Sequence, residues 1–220
     1  MMTTIFESTV TCAVCGTEST VTGIGSTNEM GYRDLDLRPA QMMRSTIWGW
    51  VKECHACGYC AADLEVAEPG ARVIVESAAF VDFRDSLADL SDLARAFRTA
   101  SFIAAERLDH KPAFHSTLCE AWVHDDAGDG VRAAAARLNA VDFLNLVHLD
   151  GGSLFGEDGG DAAMAADLLR RAGAFDRAAE LCTQALADTC DDYVRKILEL
   201  ELELSRRHDA ERHTMEEVRE

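Results

Sequence analysis

Two copies of one short pattern constrain this chain more than anything else in it: Cys12-Ala13-Val14-Cys15-Gly16 and Cys54-His55-Ala56-Cys57-Gly58, with 38 residues (16–53) between them. A C-x2-C turn offers two thiolates from one tight loop. The Gly that follows lets backbone N–H groups approach the sulfurs. Two such turns supply the four ligands of a closed tetrahedral metal site, so Cys12, Cys15, Cys54 and Cys57 are the expected ligands of one structural Zn²⁺. The wide separation makes residues 16–53 an elaborated insertion between the knuckles.

Strand-forming residues flank both knuckles. Thr9–Thr11, Ser19–Thr22 and Thr46–Glu53 read as strands, and Ala61–Val66 as the return strand after the second knuckle. On a strand, Trp48 and Trp50 would share a face. After Pro69-Gly70 the texture changes to Ala, Leu and Arg at helical spacing. Helices are expected over about 70–83, 90–108, 112–124, 129–148, 160–172, 175–187 and 191–205, with a further turn near 209–218. The apolar residues of 129–148 spread over more than one stripe, which predicts packing on two sides. The expected fold class is therefore α+β: a small β-rich zinc ribbon over 1–69, then a mostly helical part over 70–220.

The stretch Ala166–Leu186 has the spacing of a tetratricopeptide-like (TPR-like) helical hairpin, with an irregular helical bundle as the alternative because residues 92–148 follow no strict period. Gly173 ends the first helix, Phe175 packs the corner, and Ala178, Cys182 and Ala185 line one face. Leu169 stands where such hairpins carry an aromatic residue, and Cys190 where they carry a closing Pro.

Composition narrows the function. The net charge is −18, divided as −5 over residues 1–84 and −13 over 85–220. Nucleic-acid binders gain affinity by neutralising phosphates. The basic residues near the knuckles (Arg33, Arg38, Arg44, Lys52) are interspersed with acids, so a transcription- or RNA-associated ribbon is disfavoured. No apolar run is long enough to span a membrane. Met1–Thr11 has neither a basic nor an apolar leader region, so no secretory leader is expected and the expected location is the cytoplasm. In a reducing compartment the eight cysteines read as metal ligands and buried thiols rather than disulfides.

Several residues compete for a second role. Cys57-Gly58-Tyr59-Cys60 has the spacing of a dithiol redox motif, but Cys57 is already an expected ligand and Ala61–Val66 starts no helix. Position 64 is Leu64, so the C-x2-C-x2-C run lacks the next cysteine of a ferredoxin-type cluster. Cys60 is expected to be a small buried hydrophobe. His55 is expected at the surface, as are the pairs His110/His115 and His208/His213 and the single His148. His115 and Cys119 share a helix face without a third ligand. His124-Asp125-Asp126 reads as a helix end, and Asp125–Gly130 lacks calcium ligands at the required positions. Asp34, Asp36 and Arg38 alternate with apolar residues; an ion pair beside the metal is the first reading, a binding loop the second.

The knuckles, Leu35–Pro39, Trp50–Tyr59 and the helical remainder together resemble a bacterial family of unknown function with a CPxCG-type zinc ribbon followed by TPR-like helices. Ala13 and His55 stand where that motif carries Pro. The resemblance implies zinc binding and carries no activity. The expected function is that of an adaptor: zinc fixes the ribbon, and the helices present a surface to a protein or peptide partner. The alternative is a thiol-redox or metal-assisted enzyme centred on Cys57, Cys60 and the Asp34/Asp36/Arg38 loop.

Overall fold

The computed structural model describes residues 3–156, 158–188 and 191–218. Short antiparallel strand pairs occupy the N-terminal part and helices the remainder, an α+β chain. Strands β1 (Thr4–Thr11) and β2 (Glu18–Ser26) form one hairpin, whose loop is the first knuckle. The strands β3 (Glu29–Met30) and β4 (Gln41–Met42) pair antiparallel. Strands β5 (Lys52–Glu53) and β6 (Cys60–Ala61) flank the second knuckle.

Residues 46–49, expected to be extended, lie instead in a 3-10 helix over Met43–Gly49. Thr46 turns its hydroxyl back to Met43 O at 2.7 Å and accepts from the Trp50 indole at 3.0 Å. These local bonds give the backbone an alternative to a ladder. Gly49 is also needed here, because a Cβ would lie 2.6 Å from Ile24 Cδ1. The two tryptophans consequently part: Trp48 is exposed, whereas Trp50 meets Trp122 edge-on at 6.3 Å. The return strand is likewise shorter than Ala61–Val66, since only Cys60 and Ala61 pair.

The helices are α1 (Ala71–Val75), α2 (Ala78–Asp85), α3 (Asp92–Glu106), α4 (His110–Asp126), α5 (Gly130–Leu149), α6 (Gly160–Arg171), α7 (Phe175–Ala187) and α8 (Asp192–Arg206). The expected single helix over 70–83 is two. Ser77 adopts an extended conformation and caps α2 by accepting from Phe80 N at 3.1 Å. Ser91, Asp129 and Asp191 cap α3, α5 and α8 in the same way. Helix α5 buries one stripe rather than two: Ala133, Ala136, Arg137, Ala140, Val141, Leu144 and Val147 are buried, while Val131 is exposed. Helix α6 ends in a Schellman motif, in which Gly173 N donates to Arg170 O and Ala174 N to Leu169 O, both at 2.9 Å. Gly173 takes φ +77° there, which an L side chain tolerates poorly. Cys190 lies outside the described residues.

The chain divides into two compact units, residues 1–30 with 41–123 and residues 31–40 with 124–220. The change of texture at Pro69-Gly70 is therefore a change of secondary structure, and the border between units falls inside α4. In the first unit Val10, Cys12, Val14, Cys54, Tyr59, Leu64 and Phe80 share a core with α1 and α3 residues. In the second, Leu35 packs with Ala163, Ala166, Cys182, Leu198 and Val218. Segment 31–40 is bound into this second unit by backbone bonds as well: Leu35 N donates to His213 O, and Met215 N to Arg33 O.

Candidate metal centre

Both knuckles fold identically. Cys12 N donates to Thr17 O and Gly16 N to Cys12 O; Cys54 N donates to Tyr59 O and Gly58 N to Cys54 O. Gly16 and Gly58 take φ +77° and +76°. The flanking registers also match, with Thr11 opposite Glu18 and Glu53 opposite Cys60. Ala13 N donates to Leu64 O at 2.8 Å, tying the first knuckle to the loop after the second.

The hairpins bring the sulfurs of Cys12, Cys15, Cys54 and Cys57 within 4.8 Å of one another. Cys12 and Cys57 are 3.8 Å apart, and Cys15 and Cys54 3.6 Å. Four thiolates at about 2.3 Å from a tetrahedral metal stand about 3.8 Å from each other. The donor set is therefore compatible with a structural metal ion that fills all four positions from the protein. Thiolate-only ligation selects a soft or borderline ion. Cys12 and Cys54 are buried, Cys57 is half-buried, and Cys15 is exposed.

The thiols repel joint ionisation. Burial pushes Cys12 and Cys57 up, while the Thr17 hydroxyl, 3.3 Å from its sulfur, draws Cys15 down to about 6. A cation at the centre reverses this balance, since a coordinating thiol is deprotonated by the ion it binds.

A cation of the protein itself lies against the second knuckle. The Arg84 guanidinium packs so closely on Gly58 that a Cβ there would stand 2.0 Å from Nη1. Glu53 holds the guanidinium by an ion pair, and its Cζ lies 5.9 Å from the Phe80 ring centroid. A divalent ion with four thiolates would be doubly negative, and Arg84 beside Gly58 would offset the part of that charge that its Glu53 partner leaves it. Nothing in the sequence pointed to Arg84, which follows Cys57 by 27 residues and lies in the last turn of α2. Gly16, in contrast, has open space around the corresponding position. Gly16→Ala is expected to cost about 1–2 kcal/mol from left-handed strain alone. Gly58→Ala should cost more, because Arg84 must also leave Glu53. Thermal melts of the two variants compare them; equal losses would remove Arg84 from the account.

The other expected residues fall elsewhere. Cys60 occupies the position equivalent to Glu18, opens strand β6, and donates to Gly58 O at 3.4 Å. It is buried, and desolvation pushes its thiol up, the reverse of an activated nucleophile. His55 is exposed with Nδ1 3.1 Å from Ser19 Oγ. His148 pairs with Asp161 at 2.7 Å, His208 stacks on Phe175 with ring centroids 4.8 Å apart, and His213 Nδ1 is 2.7 Å from Glu217. His110, His115 and Cys119 lie on α4. Among the described residues, the four-cysteine set is the one group of three or more His, Cys, Asp or Glu with ligand atoms in reach of one another.

The Asp34/Asp36/Arg38 loop belongs to a buried ionic network in the second unit. Asp36 takes Arg171 at 2.7 Å, Arg38 takes Asp126 at 2.5 Å, and Asp34 takes Arg212 at 3.3 Å. Arg137 pairs with Asp125, which also accepts from Arg171 at 2.8 Å. Asp36, Arg38 and Arg137 are each under 4 % exposed, which is the structural rather than the ligand-binding reading of this loop. Asp125 and Asp126, expected as a helix end, serve the same network.

No protein-family model, curated protein or solved structure matches the chain. No helix among the described residues is long and apolar enough to cross a membrane.

Proposed function

We propose that this is a cytoplasmic zinc-braced adaptor, in which four cysteines hold one Zn²⁺ and the helical part carries a docking cleft for another protein. The sulfur spacing and the all-thiolate donor set favour zinc. With every position taken by a protein ligand, zinc has no open site for substrate and acts as a brace. The resemblance to bacterial ribbon proteins with TPR-like helices, and the small residues of the α6–α7 hairpin, support the same reading.

The adaptor role rests on one observation, a cleft of 410 Å³ between α5, α6 and α7 in the second unit. One stripe of α5 (Val141, Leu144, Asn145, His148) forms a wall, and Ala162 and Ala165 of α6 form a low floor. Arg177, Glu180 and Gln184 of α7 make the polar rim. A mixed cleft about two helical turns long, with Val141, Leu144, Ala165 and Leu169 beside His148, Asp161, Arg177 and Glu180, suits a short amphipathic helix that presents both apolar and basic side chains. The net charge of −18 steers it toward a partner with a basic flank.

Ala162→Trp raises the floor and is expected to abolish partner capture while leaving zinc content unchanged. Affinity capture from source lysate with both proteins, read by mass spectrometry, checks this. Recovery of the same proteins by both, or of none by either, would reject the adaptor.

A further inference from the structure

The first unit holds a second, separate cavity of 240 Å³, lined largely by apolar side chains. One face of α3 forms its long wall: Phe97, Ala100, Ile103 and Ala104, with Arg107 at the end. Trp50 also lines the cavity, fixed by its indole bond to Thr46 at 3.0 Å. At the ~30 Å³ that a water takes up, the volume admits roughly eight heavy atoms, enough for an eight-carbon chain whose carboxylate oxygens lie at the rim. Water itself finds few partners on such walls.

The polar groups gather at one end. Arg107 follows the last residue of α3, and its guanidinium is held by Nε donating to Pro69 O at 3.0 Å and by two carboxylates on Nη2, Glu68 at 3.1 Å and Asp109 at 3.7 Å. Its side chain is 16 % exposed, whereas that of Glu68 is 50 % exposed. A guanidinium has five donors in a planar fork, and these contacts engage Nε and Nη2. An incoming carboxylate can therefore take the place of the half-exposed Glu68, while Pro69 O and Asp109 keep Arg107 where it is. An apolar chamber with one pre-oriented guanidinium at its rim matches an amphiphile that ends in a carboxylate.

We propose that this cavity is a binding site for a small monocarboxylic acid, with its carboxylate on Arg107 and its aliphatic or aromatic body against Trp50 and Phe97. None of the four cysteines lines the site, which borders the second knuckle only through Tyr59 and Cys60. Octanoate is the probe, with octan-1-ol and inorganic phosphate as controls, titrated calorimetrically into the full metal-loaded chain. The Trp50 indole N–H resonance is followed in parallel. Octanoate is expected to bind saturably below 1 mM, as about ten heavy atoms allow, and to shift that resonance. Arg107→Gln should weaken octanoate at least tenfold while leaving octan-1-ol unchanged. Ala104→Leu should abolish both, and circular dichroism checks that it folds. No saturable octanoate binding, equal competition by phosphate, or an Arg107→Gln variant that binds octanoate as the parent does would each overturn the proposal.

Discussion

Cys54→Ser is expected to release the metal and unfold the ribbon. Cys54 is fully buried, its sulfur is 3.6 Å from Cys15, and its side chain lies in the core with Val10, Cys12, Tyr59 and Leu64. Structural zinc contributes an apparent ~10–16 kcal/mol of binding free energy, against the ~5–15 kcal/mol of net stability of a typical domain. Losing one of four thiolates therefore exceeds what the small ribbon core can offset. Metal analysis should fall from one bound ion per chain toward none, and the amide resonances of residues 4–26 should collapse to unfolded positions. Cys60→Ser supplies the contrast, since that thiol bonds only Gly58 O among the contacts described; it should retain full zinc and a folded spectrum. Metal retained by Cys54→Ser and lost by Cys60→Ser would reassign the ligand set.

The second large effect lies at the other end of the chain. Arg170 is fully buried between Glu201, at 2.6 Å from Nε, and Asp167, at 2.7 Å from Nη2. Its Nη1 also donates to Asp209 O and Glu211 O, both at 2.8 Å, holding the segment after α8. Arg170→Met leaves the buried Asp167 and Glu201 carboxyl groups without their shared hydrogen-bonding guanidinium and two carbonyls without a donor. Breaking a buried pair in this way costs about 3–5 kcal/mol. Urea denaturation should show the midpoint falling with little change of slope. A loss under 1 kcal/mol would mean that water reaches the carboxylates.

The same cluster makes stability depend on pH. Burial first, and the Asp167 charge second, push Glu201 up to about 8 from an ordinary 4.5. Between those values the folded chain keeps a proton that the unfolded chain releases. The contribution of Glu201 is thus complete below about pH 4.5 and is lost as pH rises through about 8. Glu201→Gln removes the titrating group, so the parent-minus-variant stability should decline from pH 5 to pH 8. A flat difference would place the proton elsewhere.

Legibility from sequence followed the range of the interactions. Helices α3 to α8 were readable because apolar spacing, caps such as Ser91 and Asp129, and the Gly173 stop act within a few residues. Thr46–Gly49 misled because its β-branched and aromatic residues favour a strand, whereas Thr46 and the Ile24–Gly49 contact favour a 3-10 turn. Ser77 split a helix that periodicity alone ran together. The four cysteines were readable as ligands from their pairing. Arg84 was not, since its closeness to Gly58 depends on how α2 packs.

By itself the sequence determined the two equivalent knuckles, the α+β order and the acidic charge, all of which are carried by residue identity and short spacing. Only the tertiary structure decided that segment 31–40 belongs with 124–220. Asp36 meets Arg171 across 135 residues of chain, and no local pattern distinguishes a charge that will be buried from one that stays in water. It also decided what Cys60 is. The register that places Thr11 opposite Glu18 places Glu53 opposite Cys60, so that thiol opens a strand and is kept neutral by burial.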